Sequence, residues 1–209
     1  MALLHRRRSR YGNARRRGTY SSHEVTPRWR DVTIGAMQIN ELGPCLVRLF
    51  SELVDGAPAR GDAFMLNSGD PGLLRGLDTL SAAEASQSAD GGATIAAHSQ
   101  HVRYGLSLMN RWAADGGNPF ANAKWDEAWR ISTVDAAMWD EIRSGLRAEA
   151  RDWLEALNAP RELGPVELTG MIASIAHLAY HLGAIRQINK SLRGPKEGTF
   201  TPESGPSST

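Results

Sequence analysis

The stretch His177-Leu178-Ala179-Tyr180-His181 lies inside a long helical pattern near the C-terminus of the 209-residue chain. The pattern follows Gly164-Pro165 and runs to Leu192, where Gly194-Pro195 is a strong stop signal. Residues four apart project from nearly the same face of a helix, so the two imidazoles could hold one metal ion. The stretch therefore predicts a long helix that carries a pair of candidate metal ligands.

The inner face of this helix is predicted from the spacing of its apolar and small residues. That face would contain Ala173, His177, His181, Ile188 and either Ala184 or Ile185. The small side chains beside the histidines would leave room for an ion and a ligand.

Three more long helices are predicted upstream of this one. The first covers 44–54, and Gly43-Pro44 leaves open whether it begins earlier, around 32–42. The second covers about 95–114, with Ile95, His98, Val102 and Met109 on its inner face. The third covers about 133–157, with Ser132 as its expected N-cap.

These helices predict an all-α fold, a four-helix bundle over 31–194 with a long connection between its first and second helices. Within that connection Asp70-Pro71-Gly72 would open a short helix, and Ser81 with Glu84 matches a capping box. No stretch shows the alternation of a half-buried strand.

The two ends of the chain differ from this domain in composition. Residues 1–30 carry nine arginines and one acid, whereas residues 31–209 carry 15 basic and 22 acidic side chains. The leader could bind nucleic acid or an anionic surface, or act as a targeting segment, but we expect a disordered extension, with Met37 as a later candidate start. The acidic body argues against nucleic-acid binding by the domain itself. Residues 195–209, rich in Ser, Pro, Gly and Thr, predict a disordered tail.

Cysteine content and hydropathy bear on the compartment. Cys45 is the single cysteine, so no intrachain disulfide can form, which fits a cytoplasmic protein. It is expected in the apolar stripe of the first helix, where a nucleophilic role is disfavoured. No window was expected to reach the roughly 18 apolar residues that span a bilayer, so we expect no membrane association.

A second pair of histidines, His98 and His101, lies on the predicted second helix. Metal sites in helical bundles are built from inward side chains on facing helices, so either histidine could complete a set of three nitrogen ligands with His177 and His181. Such a set suits zinc, nickel, cobalt, iron or manganese. The alternative is that the histidines are hydrogen-bonded in the core or at its edge.

Two segments resemble the DinB/YfiT-like superfamily of metal-dependent four-helix-bundle proteins. One is Gly92-Ala93-Thr94-Ile95-Ala96-Ala97-His98-Ser99-Gln100-His101-Val102, and the other is the twelve-residue run from His177 to Ile188. The resemblance covers about 40–193. It implies that His101, which precedes Val102, is the ligand from the second helix, and that His177 and His181 are the pair from the last helix. His98, one turn away, would support the site or replace His101.

The resemblance also implies what the protein does. Members are often homodimers, and characterised ones include thiol-dependent S-transferases and an isomerase that use low-molecular-weight thiols such as bacillithiol or mycothiol. We therefore expect a divalent-metal-dependent enzyme acting on a small molecule, a thiol S-transferase or a related hydrolase or isomerase. The alternative is a non-catalytic dimeric binding or stress-response protein with a structural or vestigial metal site.

Overall fold

The computed structural model describes residues 39–161 and 164–196. In these two ranges the chain forms seven α-helices, one 3-10 turn and no β-strand, so the predicted all-α class is confirmed. The predicted leader and all but two residues of the predicted tail lie outside the described residues. The helices are α1 (Ile39–Asp55), α2 (Gly72–Asp78), α3 (Ala82–Ala85), α4 (Ile95–Asp115), α5 (Trp125–Ala128), α6 (Ala136–Asn158) and α7 (Pro165–Ile188).

The four long helices share one apolar core. Both α1 and α4 pack against α6 and α7. Phe50, Trp139 and Trp153 are each buried at the centre. Both indoles have a hydrogen-bond acceptor: Trp139 Nε1 donates to the Leu80 carbonyl at 2.9 Å, and Trp153 Nε1 donates to Ser174 Oγ at 3.0 Å. The largest side chains of the core are therefore buried without unpaired polar atoms.

Helix α1 continues through Gly43-Pro44, which the sequence left open as a break. A Cβ on Gly43 would lie 3.0 Å from the Leu157 carbonyl oxygen, so the glycine permits a close approach to α6. Any part of α1 before Ile39 lies outside the described residues. Cys45 is exposed, so the prediction that it lies in the core stripe is wrong. Its side chain projects about 100° around the helix axis from that of the next residue, the buried Leu46.

The connection between α1 and α4 is anchored by a buried carboxylate. Glu52 of α1 accepts backbone N–H bonds from Phe64, Met65 and Leu66 at 2.6 to 3.1 Å. Helix α2 begins at Gly72, as predicted, and buries its three leucines. The predicted capping box is also present, with Ser81 and Glu84 pairing reciprocally at the start of α3.

The boundaries of the later helices agree with the sequence in part. Helix α4 ends at Gly116, which adopts a left-handed φ of 65°. Helix α6 begins at Ala136 rather than 133, because Asp135 and not Ser132 is its N-cap: Asp135 Oδ1 accepts the Met138 N–H at 2.8 Å. Helix α7 ends at Ile188, four residues before the predicted Leu192.

Helix α7 is long and apolar enough to cross a membrane, judged by length and composition only. The prediction that no window reaches this threshold is therefore wrong. Met171, Leu178 and Ile185 of α7 are buried in the core, and the core helix of a soluble protein passes the same test. The apolar character of α7 is thus accounted for in part by its packing.

The cap of α6 yields a stability prediction. Asp135→Ala should lower the free energy of unfolding by about 1 kcal/mol, because the N–H of Met138 loses its acceptor. The matched change Ser132→Ala should alter it by less than about 0.5 kcal/mol. Urea denaturation of the two variants measures both values. The opposite ranking would place the cap at Ser132, as the sequence alone suggested.

Candidate metal centre

Four histidines meet where α4 and α7 face each other. His98 and His101 come from α4, and His177 and His181 come from α7. Three of them are buried, with His181 only 2% exposed, and His177 is half-buried. The facing arrangement predicted from the two histidine pairs is therefore present.

The inner face of α7 is rotated relative to the prediction. Its buried residues are Met171, Ser174, Ile175, Leu178, His181, Leu182 and Ile185. Ala173 is exposed, and His177 lies at the edge of the buried face. The large apolar residues occupy the centre of the core because their burial contributes most, and this turns the alanines outwards.

Three of the four rings bring their Nε2 atoms together. His177 Nε2 lies 3.1 Å from His101 Nε2 and 3.0 Å from His181 Nε2. One ligand atom from each of the three rings lies within 4.8 Å of the others, so these residues could hold a metal ion.

His98 occupies a different position, behind His181. Its Nδ1 lies 2.9 Å from Nδ1 of His181, the ring nitrogen that does not face the other two histidines. If His181 keeps the lone pair of Nε2 free, its proton is on Nδ1 and is donated to His98. The contact then selects the tautomer of His181 that directs Nε2 to the cluster.

Burial keeps the cluster uncharged. Burial first, and the neighbouring imidazoles second, lower the pKa of His101 to about 4 and that of His181 to about 3. Burial also lowers the pKa of His98 and of His177. At neutral pH each ring is therefore neutral and has one nitrogen with a free lone pair, which is the form that binds metals.

Hydrogen bonds among neutral rings do not account for this geometry. A ring nitrogen has either one N–H or one lone pair in its plane. His177 Nε2 faces two other ring nitrogens, so it can complete a hydrogen bond with one of them only. The second contact is then left without a hydrogen bond of its own, whereas a cation between the rings would engage a lone pair from each of them. The donor set thus fits a metal ion better than a closed hydrogen-bond network.

Two tryptophans cover the cluster. Trp129 stacks on His101 with ring centroids 4.2 Å apart and meets His98 edge-on at 5.2 Å. Trp125 lies 5.3 Å from His101. Trp125 begins the short helix α5. Tyr104 fixes the start of that helix, since its hydroxyl accepts the backbone N–H of Lys124 at 2.9 Å.

Trp125 and Trp129 are not among the site residues predicted from the sequence. Their position over the histidines was missed, because contacts between segments far apart in sequence leave no local pattern. The spacing of four between them was the available signal, since it places both rings on one side of a helical turn.

A cavity of about 450 Å³ opens beside the cluster. His101 and His177 form one part of its wall, and Met109, Phe120 and Trp125 contribute apolar surface. The residues that line it include no carboxylate and no lysine or arginine. The metal-ligand candidates therefore adjoin an apolar chamber between α4 and α7.

Three further side chains with polar or reactive groups are not part of this cluster, although the Tyr180 ring lies 5.0 Å from the His181 ring. Arg186 pairs with Asp70 at 2.6 Å, and Tyr180 is 68% exposed. Cys45 is on the surface of α1.

Comparison of the chain with models of protein families, with curated proteins and with solved structures gives no match. The DinB/YfiT-like assignment stays a prediction that rests on the histidine framework.

Proposed function

We propose that His101, His177 and His181 bind one divalent transition-metal ion through their Nε2 atoms. The observation that carries the proposal is the convergence of three neutral ring nitrogens on one point, with one of them only 3.0 and 3.1 Å from the other two. Metal–nitrogen bonds of about 2.1 Å place two ligand nitrogens about 3.0 Å apart at a right angle and about 3.4 Å apart at the tetrahedral angle. With three histidine ligands, at least one coordination position of the ion would stay open for water or a thiol. Zinc, nickel, cobalt, iron and manganese are all compatible with the donor set.

Metal analysis of untagged protein tests this site. We expect about one ion per chain, and we expect His177→Ala to remove it, because two ligands replace three. His98→Leu should retain the ion at about 10- to 100-fold lower affinity, the effect typical of losing a residue that orients a ligand. Circular dichroism checks that each variant stays helical.

The matched pair His101→Ala and His98→Leu separates the two candidates on α4. Retention of the ion in His101→Ala with its loss in His98→Leu would make His98 the ligand. An unchanged metal content in His177→Ala would contradict the three-histidine site altogether.

The activity that we propose is thiol S-transfer by a four-helix bundle of the DinB/YfiT-like type. The apolar cavity next to His101 and His177 would hold a small apolar electrophile, because its wall offers apolar surface and no charged group. A divalent ion at this site would lower the pKa of a bound low-molecular-weight thiol. The thiol sulfur would then form a bond to an electrophilic carbon of the substrate, the leaving group would depart with its electron pair, and the thiol proton would pass to solvent.

The absence of carboxylates from the cavity wall supports this chemistry over a reaction that needs a general base from the chain. The lining contains no acidic side chain that could remove a proton from a substrate. Trp129, stacked on His101, would limit the access of water to the site.

Narrowing the cavity tests the proposed activity. Ala173 is exposed on α7 and lines the cavity, so Ala173→Leu should fold normally, keep the metal and lower kcat/KM for thiol consumption about tenfold or more. Bacillithiol, mycothiol and cysteine, each with an epoxide or an aryl halide, form the assay panel. Ala148→Leu is the matched control, because Ala148 is exposed on α6, away from the outer face of α7, and does not line the cavity.

A non-catalytic metal-binding or stress-response protein is the second candidate function. The lack of carboxylates, lysine and arginine in the cavity wall also favours it. Metal binding without turnover by any thiol and electrophile of the panel would support this function over S-transfer.

We also propose that the protein is a cytoplasmic homodimer. The outer face of α7 exposes Val166 by 77%, Ile172 by 52% and Tyr180 by 68%, and no charged residue lies between Glu167 and Arg186. A second copy is the occupant that we infer for this face, because two identical uncharged faces are complementary in a two-fold interface. The lone cysteine fits a reducing compartment.

Charge placed on this face should prevent association. We expect Ile172→Glu to convert the dimer into a monomer in sedimentation equilibrium, since pairing would bury two carboxylates. Arg111→Glu, an exposed change on α4, should leave the mass at twice that of the chain. A monomeric wild-type protein would refute the proposed interface.

A further inference from the structure

A second cavity, of about 630 Å³, lies at the C-terminal end of α7. One side is formed by the segment from Met65 to Asp70, and the other by Arg186 and the residues from Lys190 to Lys196. The two sides are joined by a hydrogen bond in which Asn67 Nδ2 donates to the Pro195 carbonyl at 2.7 Å. This basic pocket is separate from the apolar cavity, with which it shares no lining residue.

The charge of the basic pocket opposes that of the domain. Its lining contains four cationic side chains and one carboxylate: Arg186, Lys190, Arg193, Lys196 and Asp70. Residues 31–209 as a whole carry 15 basic and 22 acidic groups, so Arg186, Lys190 and Arg193 beside one carboxylate are a local excess of positive charge. Such a concave surface attracts and concentrates anions.

The single carboxylate is already engaged. Asp70 is 2% exposed, and its Oδ1 accepts bonds from Arg186 Nη2 at 2.6 Å and from the Gly72 N–H at 2.8 Å. Gly194 packs against the same carboxylate, where a Cβ would collide with Oδ2. Asp70 therefore neutralises and orients Arg186 without offsetting the charge of Lys190 or of Arg193.

Arg186 retains hydrogen-bonding capacity. Its Nε is buried and has no partner among the described residues, although a guanidinium carries five N–H donors. A buried donor without an acceptor is destabilising, so an acceptor that reaches this edge of the guanidinium would be favourable. Lys190, exposed at the rim, has no ion-pair partner in the described part of the chain.

The helix dipole at the C-terminal end of α7 accounts for some of the cations in the basic pocket but not for all of them. Cations near a helix C-terminus interact favourably with its dipole, which applies to Arg186 in the last turn. Arg193 also folds back onto the helix, with Nη2 donating to Gln187 Oε1 at 3.0 Å. These contacts do not engage Lys190, nor the buried Nε of Arg186. The remaining donors and charge point to an external anion.

We propose that the basic pocket binds the phosphate group of a small phosphorylated molecule. Phosphate matches the forked donors of arginine, and with two negative charges it balances the excess positive charge better than one carboxylate does. The volume of the cavity exceeds that of the phosphate group alone and leaves room for the rest of a small molecule. The proposal is independent of the metal centre, since it uses none of the histidines.

Isothermal titration of the full chain with inorganic phosphate, pyrophosphate and glycerol phosphate tests the pocket. We expect saturable binding of at least one probe with one site per chain, weakened by added salt. Arg186→Lys should lower the affinity about tenfold or more, because the planar fork is lost. Lys190→Glu should lower it to a similar extent, and its exposure makes a folding defect unexpected.

Controls separate this pocket from other basic surfaces. Arg111→Glu, with the same change in net charge elsewhere, should bind each probe as the wild type does, and so should His177→Ala. The arginine-rich residues 1–30 are present in every variant, so their contribution cancels in the comparison. Equal affinity in the wild type, Arg186→Lys and Lys190→Glu would assign the binding to another surface and overturn the proposal. Failure of all three probes to saturate the wild type would overturn it as well.

Discussion

Four uncharged imidazole rings meet in the interior of this protein, and the arrangement of α4 and α7 depends on them. Burial removes their charge, lowering the pKa of His181 to about 3, and the rings contact one another through their nitrogens, although Nδ1 of His101 is buried without a partner among the described residues. Gly105 of α4 lies at this contact, where a Cβ would be at ordinary van der Waals distance, 3.7 Å, from His177 Cε1. The polar cluster thus fixes how the two helices face each other, while Trp139 and Trp153 supply apolar burial elsewhere in the core.

The cost of such a cluster explains the surroundings of the histidines. Polar groups buried without full hydrogen bonding destabilise a core, and His177 Nε2 can satisfy only one of its two neighbouring nitrogens. The stacking of Trp129 on His101 offsets part of that cost through aromatic contact. Yet stacking supplies no acceptor or donor to the Nε2 atoms. A structural role alone would be served better by apolar side chains, which favours a ligand as the reason for the cluster.

Helix faces that follow from a repeating residue spacing could be predicted from the sequence. Features set by contacts between distant segments could not. Apolar spacing placed His98 and Val102 on the inner face of α4 correctly, because a large side chain every turn specifies one face. The predicted buried face of α7 differs from the observed one by a rotation of about one residue, because the small Ala173 side chain is compatible with either a buried or an exposed position. Ser132 and Asp135 are both good N-caps, and only the position of the helix in the fold selects Asp135. The cover of Trp129 over His101 joins segments 28 residues apart, which no local pattern encodes.

The distribution of charge on α7 limits what the metal centre can bind. Glu167 lies in the first turn and Arg186 in the last, where each interacts favourably with the helix dipole, and the eighteen residues between them carry no charge. Three neutral histidines would leave the full double charge of a divalent ion in an apolar wall without carboxylates. Electroneutrality in a medium of low dielectric constant therefore favours an anionic partner at the open positions. A thiolate is negatively charged, and it is also a soft ligand that binds transition-metal ions well. The uncharged character of this helix therefore favours thiol chemistry over a role in which the ion keeps only neutral ligands.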